Sequence, residues 1–256
     1  MIFSIQQLSD DSKLSHALRF EVLEQLCPPE LVSDLLSRCH AWGERERSLN
    51  QLLVVYYVIA LSLFRRLNLA EVLGHLVRGL RWLWSNPSVR LPTAAALVYR
   101  RRQLGTPVMR HLFQRVCHPM ASEQTRGAFR FGLRLMAIDG TLDEVADTEA
   151  NALYFGRMSR GKHQSPFPQV RCLYLAEVGT HAIVDAVFAP CRVAEQRLAP
   201  LLLSRAVQPG MLVMMDRGMV SAAELSTLVH QRQAQALARL KAGPYTHAEQ
   251  VLSDGS

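Results

Sequence analysis

Two short apolar runs, Leu135-Met136-Ala137-Ile138 and Met211-Leu212-Val213-Met214-Met215, each stop at an aspartate with a glycine close behind: Asp139-Gly140 in one, Asp216-Arg217-Gly218 in the other. Apolar runs of this length, ended by turn-forming residues, are strand signals, and a wholly apolar one suits a strand buried on both faces. Between them, Val170 to Val178 and His181 to Phe188 read as two strands joined at Gly179-Thr180, an antiparallel hairpin. Glu195 to Val207 carries Leu198, Leu201 and Leu202 in helical register and ends at Pro209-Gly210. Beyond Asp216, Ser221 followed three places on by Glu224 is a capping box, opening a helix that runs to about Gln233, and Gln235 to Leu240 is a last strand.

The order is therefore strand, strand, strand, helix, strand, helix, strand. A meander feeding a crossover unit is the order of a ribonuclease-H-like domain, in which the first strand lies beside the strand that follows the crossover helix. Asp139 and Asp216 would then stand at the same end of neighbouring parallel strands. Carboxylates so placed are hard oxygen ligands for a divalent cation such as Mg2+ or Mn2+. Two cations about 4 Å apart can hold the attacking and leaving oxygens of an in-line displacement at phosphorus. Gly140 and Gly218 would leave room for a substrate backbone. A plainer reading stands beside this one, because Asp-Gly after a strand is often an ordinary turn. Asp143, Glu144, Asp147 and Glu149 read as a solvated acidic loop.

The first half of the chain has a helical period. Pro28-Pro29-Glu30 opens a segment with Leu31, Val32, Leu35 and Leu36 on one face. Leu49 to Phe64 is apolar almost all round and so reads as a central helix, while Asn68 to Trp84 is amphipathic. After Ser85-Asn86-Pro87-Ser88, a helix begun at Leu91-Pro92-Thr93 carries Arg100-Arg101-Arg102, is broken at Gly105-Thr106-Pro107, and resumes from Val108 to Val116. Two helices bearing arginine across a short glycine-containing turn are compatible with a helix-turn-helix, and equally with any helical hairpin.

Charge is concentrated in the same region. The chain carries +7 overall, but residues 65–134 alone carry a net +11, with thirteen arginines and no lysine. The guanidinium fork suits phosphate oxygens, so a polyanionic partner follows, with Arg100, Arg101, Arg102 and Arg110 as candidate contacts to duplex DNA. The apolar run Leu52 to Phe64 is shorter than a bilayer crossing needs, and the N-terminus shows no leader pattern, so a cytoplasmic protein without a membrane partner is expected. Five cysteines, widely spaced and without a Cys-x-x-Cys pair, read as buried thiols rather than a disulfide framework or zinc knuckle. Asp139-Gly140-Thr141 also suggests a phosphatase of the haloacid dehalogenase class, but the nucleophilic aspartate needed two residues earlier is Ala137.

These motifs together resemble the DDE (Asp-Asp-Glu) transposases of the insertion-sequence-four type. The resemblance is carried by Ile138-Asp139-Gly140-Thr141, Tyr154-Phe155-Gly156-Arg157, Pro168-Gln169-Val170-Arg171, Gly179-Thr180-His181 with Asp185-Ala186, Glu195 with Leu198-Ala199 and Leu202-Leu203, Asp216-Arg217-Gly218 with Ser221, and Arg239-Leu240-Lys241. The stretch from Pro29-Glu30-Leu31-Val32 to Ala60-Leu61-Ser62-Leu63-Phe64 resembles the helical domain that precedes catalysis in that family. The resemblance implies metal-dependent cleavage and transfer of DNA strands at the terminal inverted repeats of an insertion sequence, and a homodimer on DNA. It gives Asp139 and Asp216 the first two catalytic carboxylate positions.

Met219 stands where members usually place an aromatic residue. The third acid, a Glu in a Tyr-x-x-Arg-x-x-x-Glu-x-x-x-x-x-x-Lys pattern after an inserted β-rich region, has no counterpart here. Leu252-Ser253-Asp254-Gly255-Ser256 resembles the opening of that insertion, so a C-terminally truncated, catalytically incomplete transposase is expected. The other functional reading is a non-catalytic DNA-binding protein or transposition inhibitor derived from a transposase. The expected fold class is α+β: an all-helical, DNA-binding N-terminal domain over residues 1–130, basic from about 65, then an incomplete ribonuclease-H-like α/β domain over 131–256.

Overall fold

The computed structural model describes residues 22–43, 49–83, 92–161, 163–219 and 221–239. Two compact units divide it, Met1–Val116 and Cys117–Ser256. The expected break at Ser85 to Ser88, and Leu240, Lys241 and Leu252 to Ser256, lie outside the described residues.

The first unit is helical. Helix α1 (Pro29–Arg38) starts with proline in its first turn, where no amide partner is needed, and buries Val32, Leu35 and Leu36. Helix α2 (Gln51–Leu63) is capped by Asn50, whose side chain accepts from the Leu53 amide at 2.8 Å. Leu53, Val54, Val55, Tyr56 and Tyr57 are wholly buried in it, so α2 is the central helix that its all-round apolar sequence requires. Two tyrosines can be buried there because each hydroxyl finds a carbonyl: Tyr56 donates to Cys27 and Tyr57 to Leu69 at 3.1 Å. Helix α3 (Leu69–Gly79) opens with a full capping box between Asn68 and Glu71. A short 3-10 turn, Arg81–Leu83, follows it. Helix α4 (Ala94–Val116) is two helical pieces meeting at Gly105, whose φ of 68° only glycine adopts without strain. The expected helix, break and helix is thus a kink within α4.

The second unit is built on a mixed sheet. Its strands are β1 (Phe129–Arg130), β2 (Leu133–Glu144), β5 (Gln169–Glu177), β6 (Ile183–Pro190), β7 (Met211–Met215) and β8 (Gln235–Ala238). They run in the order β6-β5-β2-β7-β8, with β1 paired to β2. The β2–β5 and β5–β6 pairs are antiparallel; β2–β7 and β7–β8 are parallel. Short helix α5 (Glu149–Phe155) and a two-stranded ribbon, β3 (Ser159–Arg160) with β4 (His163–Gln164), connect β2 to β5. Helix α6 (Glu195–Ala206) is the crossover from β6 to β7. Helix α7 (Ala222–Ser226), continued by a π-helical turn over Thr227–Gln231, joins β7 to β8. Met136, Ile138, Leu173, Leu175, Val213 and Met215 from one sheet face pack with Leu198, Leu202 and Leu203 of α6 as a single core.

Three expectations differ from the described structure in whole or in part. First, the two compact units meet at Val116/Cys117, whereas the boundary expected from the sequence is 130/131. The reason is Glu177, wholly buried at the end of β5, whose carboxylate accepts from the Met120 and Ala121 amides at 3.1 and 2.8 Å and binds that segment to the sheet unit. Ten of the thirteen arginines of the basic stretch therefore fall in the first unit, while Arg126, Arg130 and Arg134 fall in the second. Secondly, Asp139-Gly140 is no turn, because β2 continues to Glu144, paired with β5 as far as Gln169. Asp143 and Glu144 are strand residues rather than loop, Asp147 pairs with Arg157, and Glu149 sits in the first turn of α5. Finally, the buried-thiol reading holds in part: Cys27, Cys172 and Cys191 are buried, Cys39 and Cys117 half-buried. No helix among the described residues is long and apolar enough to cross a membrane.

Candidate functional site

β2 outlasts its parallel neighbour. Its last residue paired with β7 is Ile138, opposite Met215. One position on in each chain stand Asp139, still within β2, and Asp216, just past the end of β7, so both follow the same end of the parallel ladder. Ile138 and Met215 face the core, and by strand alternation Asp139 faces the other way. Both aspartates are exposed. Asp139 Oδ1 accepts from the following amide, Gly140 N, at 2.8 Å. After Asp216 the chain turns, Met219 N donating to the Asp216 carbonyl at 2.9 Å. Met219 itself is a core residue, which fixes the far end of that turn.

Asp143 lies on the same face as Asp139, four residues along β2. One of its oxygens, Oδ2, accepts from Tyr174 Oη–H at 3.3 Å and from Cys172 Sγ–H at 3.4 Å. Burial, with the Asp143 carboxylate close by, pushes the Tyr174 hydroxyl well above its ordinary pKa, and burial first of all raises the Cys172 thiol. Both therefore stay protonated and keep Asp143 occupied as an acceptor.

Gly140 and Gly218 have different surroundings. A Cβ at Gly218 would meet only Asp216 Oδ2, at 3.7 Å, so that side is open as expected. At Gly140 the space is taken, since a Cβ would stand 2.5 Å from Glu195 Cδ. The room at Gly140 serves Glu195, not a substrate. Glu195 in turn accepts from Arg171 at 2.7 Å, and neighbouring Gln196 donates to the Gly218 carbonyl. Sequence reasoning gave Glu195 and Arg171 no role and passed over Gln196. Their signal was the glycine after Asp139, where a strand otherwise gains from a side chain.

Among the described residues no group of three or more His, Cys, Asp or Glu side chains is placed to hold a metal ion. Two exposed carboxylates with open space beside them are nonetheless a fitting donor set for Mg2+, which keeps several waters and commonly takes one or two carboxylates plus substrate phosphates.

The candidate DNA-binding arginines separate. Arg101, Arg102 and Arg110 are exposed on α4. Arg100 is buried, donating through Nε to the Leu49 carbonyl at 3.1 Å and through a terminal nitrogen to Gln103 Oε1 at 2.8 Å. It stands three residues after Leu97 and four before Leu104, on the buried stripe of its helix, and so is withdrawn from the exposed set.

Comparison with known proteins agrees with the motifs. Residues 17–114 match the family model described as insertion element 4 transposase N-terminal. The chain is 26% identical over 193 residues to the transposase InsG for insertion sequence element IS4 of Escherichia coli K12, a match covering 75% of this chain and 42% of that protein. It is 30% identical over 123 residues to InsZ of the same strain, covering 45% of this chain and 39% of the relative. The matches thus span about two fifths of the relatives' length. The cryo-EM structure of a piggyBac transposase synaptic complex with hairpin DNA is similar at a TM-score of 0.43 and 13% identity, over 93% of this chain and 54% of that one. Residues 17–114 are thus similar to the N-terminal domain of insertion element 4 transposases, and the chain is similar in part to two transposases of that kind.

Proposed function

We propose that the second unit is a ribonuclease-H-like domain that acts on DNA phosphodiesters at the ends of an insertion sequence, and that Asp139 and Asp216 hold its divalent cation. The observation that supports this most is the register of β2 and β7, whose last pair, Ile138 and Met215, is followed in each chain by an exposed aspartate. A bound Mg2+ or Mn2+ would supply charge neutralisation at a phosphate and a more acidic attacking oxygen. The chain's own part is to present the two carboxylates from rigid strands, and to leave Gly218 without a side chain beside them. Helix α4 contributes Arg101, Arg102 and Arg110 as phosphate contacts that hold duplex DNA without reading its sequence.

Among the described residues no third His, Cys, Asp or Glu is placed to complete such a site. This favours a second reading for the 256-residue chain by itself: a protein that binds DNA and a cation but does not cut. The experiment that tests the site is a Mn2+ titration of this chain, followed by electron paramagnetic resonance. Binding is expected in the wild type and should be lost in Asp139→Asn and in Asp216→Asn. A wild type without affinity for Mn2+, or full affinity in both variants, would refute the assignment. Cleavage of DNA by the 256-residue chain, surviving either substitution, would refute it too.

A further inference from the structure

The first turn of α6 touches the chain just beyond each of the two aspartates. Glu195 fills the space over Gly140, the residue after Asp139, so closely that no Cβ fits there, with Glu195 Cδ only 2.5 Å from where it would stand. Gln196, the next residue, donates through Nε2 to the carbonyl of Gly218, two residues after Asp216. Glu195 is itself held: Arg171 of β5 donates to its Oε1 at 2.7 Å and reaches the Cys191 carbonyl at 3.4 Å with its other terminal nitrogen. Leu198, Ala199, Leu202 and Leu203 then lock α6 into the core, so the turn that carries Glu195 and Gln196 cannot drift. By strand alternation Gly140 faces α6 and Asp139 faces away from it, which puts Glu195 on the opposite side of the sheet from the Asp139 carboxylate.

We propose that Glu195 and Gln196 are positioning residues that fix the separation of Asp139 and Asp216 from behind the sheet. The proposal rests on the reading of the two aspartates as a cation pair. Beyond Ile138 and Met215 no β2–β7 ladder bonds the two strands, so the register that aligns the aspartates is unsupported at the position where it matters. One helical turn gripping Gly140 and Gly218 replaces the missing ladder. Glu195 acts through its bulk and its tie to Arg171, not through its charge.

The test is the Mn2+ affinity of the intact 256-residue chain, measured by electron paramagnetic resonance, beside the thermal unfolding of the metal-free protein. Gln196 is exposed, so Gln196→Ala should leave the unfolding temperature in place yet weaken Mn2+ binding about tenfold, the scale on which supporting contacts act on a metal site. Glu195→Gln keeps the volume over Gly140 and an oxygen for Arg171, and should retain affinity within about twofold, whereas Glu195→Ala should lose about tenfold. Equal losses in Glu195→Gln and Glu195→Ala would mean that charge, not position, matters, and would overturn the proposal. Wild-type affinity in both Gln196→Ala and Glu195→Ala would overturn it as well. A wild type that binds no Mn2+, indistinguishable from Asp139→Asn, would remove the cation reading itself, and the positioning role with it.

Discussion

Ile138 and Met215 are the last residues that pair β2 with its parallel neighbour β7, and each is followed at once by an exposed aspartate. Like charges on adjacent strand ends repel each other unless a cation lies between them. The metal-free protein should therefore be no less stable, and slightly more so, as Asp139→Asn or Asp216→Asn, while losing all stabilisation by added Mn2+. Thermal unfolding with and without Mn2+ measures both effects. A marked loss of metal-free stability in either variant would show that the aspartates are there for the fold.

The arginines of α4 should divide by experiment as they do by burial. Alanine at Arg101, Arg102 or Arg110 should leave the unfolding midpoint in urea unchanged and reduce the slope of log affinity for duplex DNA against log salt by about 0.9 for each phosphate no longer neutralised. Arg100→Ala should instead cost about 1–3 kcal/mol of stability, because it leaves the Leu49 carbonyl without its buried donor. Fluorescence titrations at several salt concentrations, paired with urea curves, separate the two behaviours. An unchanged salt slope in the triple variant of the exposed arginines would place DNA binding elsewhere.

Glu177 gives the second unit an acid-sensitive joint. Burial by itself raises its pKa, but hydrogen bonds from Thr180, the Ala121 and Met120 amides and Arg134 outweigh it, and the carboxyl is held below its ordinary value. A depressed folded-state pKa means stability fully present above the unfolded value of about 4.3 and lost as pH falls through the folded value. Wild type should therefore surpass Glu177→Gln in urea midpoint at pH 7, and the gap should close as pH falls below about 4. A gap that persists unchanged at pH 3 would mean that the carboxylate's charge is not what holds residues 120–121 to β5.

Much of the second unit was legible because its signals are local and agree with each other. The five apolar residues of β7, the hairpin around Gly179-Thr180 and the Ser221 cap each fold as their own sequence suggests. What was misread depends on partners far along the chain. The turn signal of Asp139-Gly140 is overruled by continuous pairing of β2 with β5, from Met136 opposite Glu177 to Glu144 opposite Gln169. The compact units meet earlier than the sequence suggests, because the amides of Met120 and Ala121 are claimed by a carboxylate more than fifty residues away. Arg100 was an oversight rather than an obscurity, since its spacing from Leu97 and Leu104 already placed it inside. Asp139 and Asp216 stand out in the sequence because each follows an apolar strand. The contacts of Glu195 and Gln196 do not, because a helix start announces nothing about the backbone it touches.

The packing of Glu195 over Gly140 can be isolated by a double-mutant cycle. Gly140→Ala sets a methyl 2.5 Å from Glu195 Cδ and 2.6 Å from its Oε1, far inside van der Waals distance. A flexible carboxylate would swing aside at little cost, but this one is tied to Arg171, and both side chains are largely covered, at 27% and 16% exposure. Either the ion pair or the strand must yield, and the substitution should cost about 1–3 kcal/mol. Glu195→Ala alone removes the partner of Arg171 but also empties the space over Gly140. With Glu195 already alanine, the methyl of Gly140→Ala enters vacant volume, so the double variant should be more stable than the two single costs added together, by about 1 kcal/mol or more. Gly218→Ala is the control, because its Cβ meets nothing nearer than Asp216 Oδ2 at 3.7 Å and should leave stability unchanged. Urea unfolding of the wild type and these four variants measures every term. Additive costs for Gly140→Ala and Glu195→Ala would show that the two residues do not bear on each other, and the grip of α6 on the end of β2 would have to be given up.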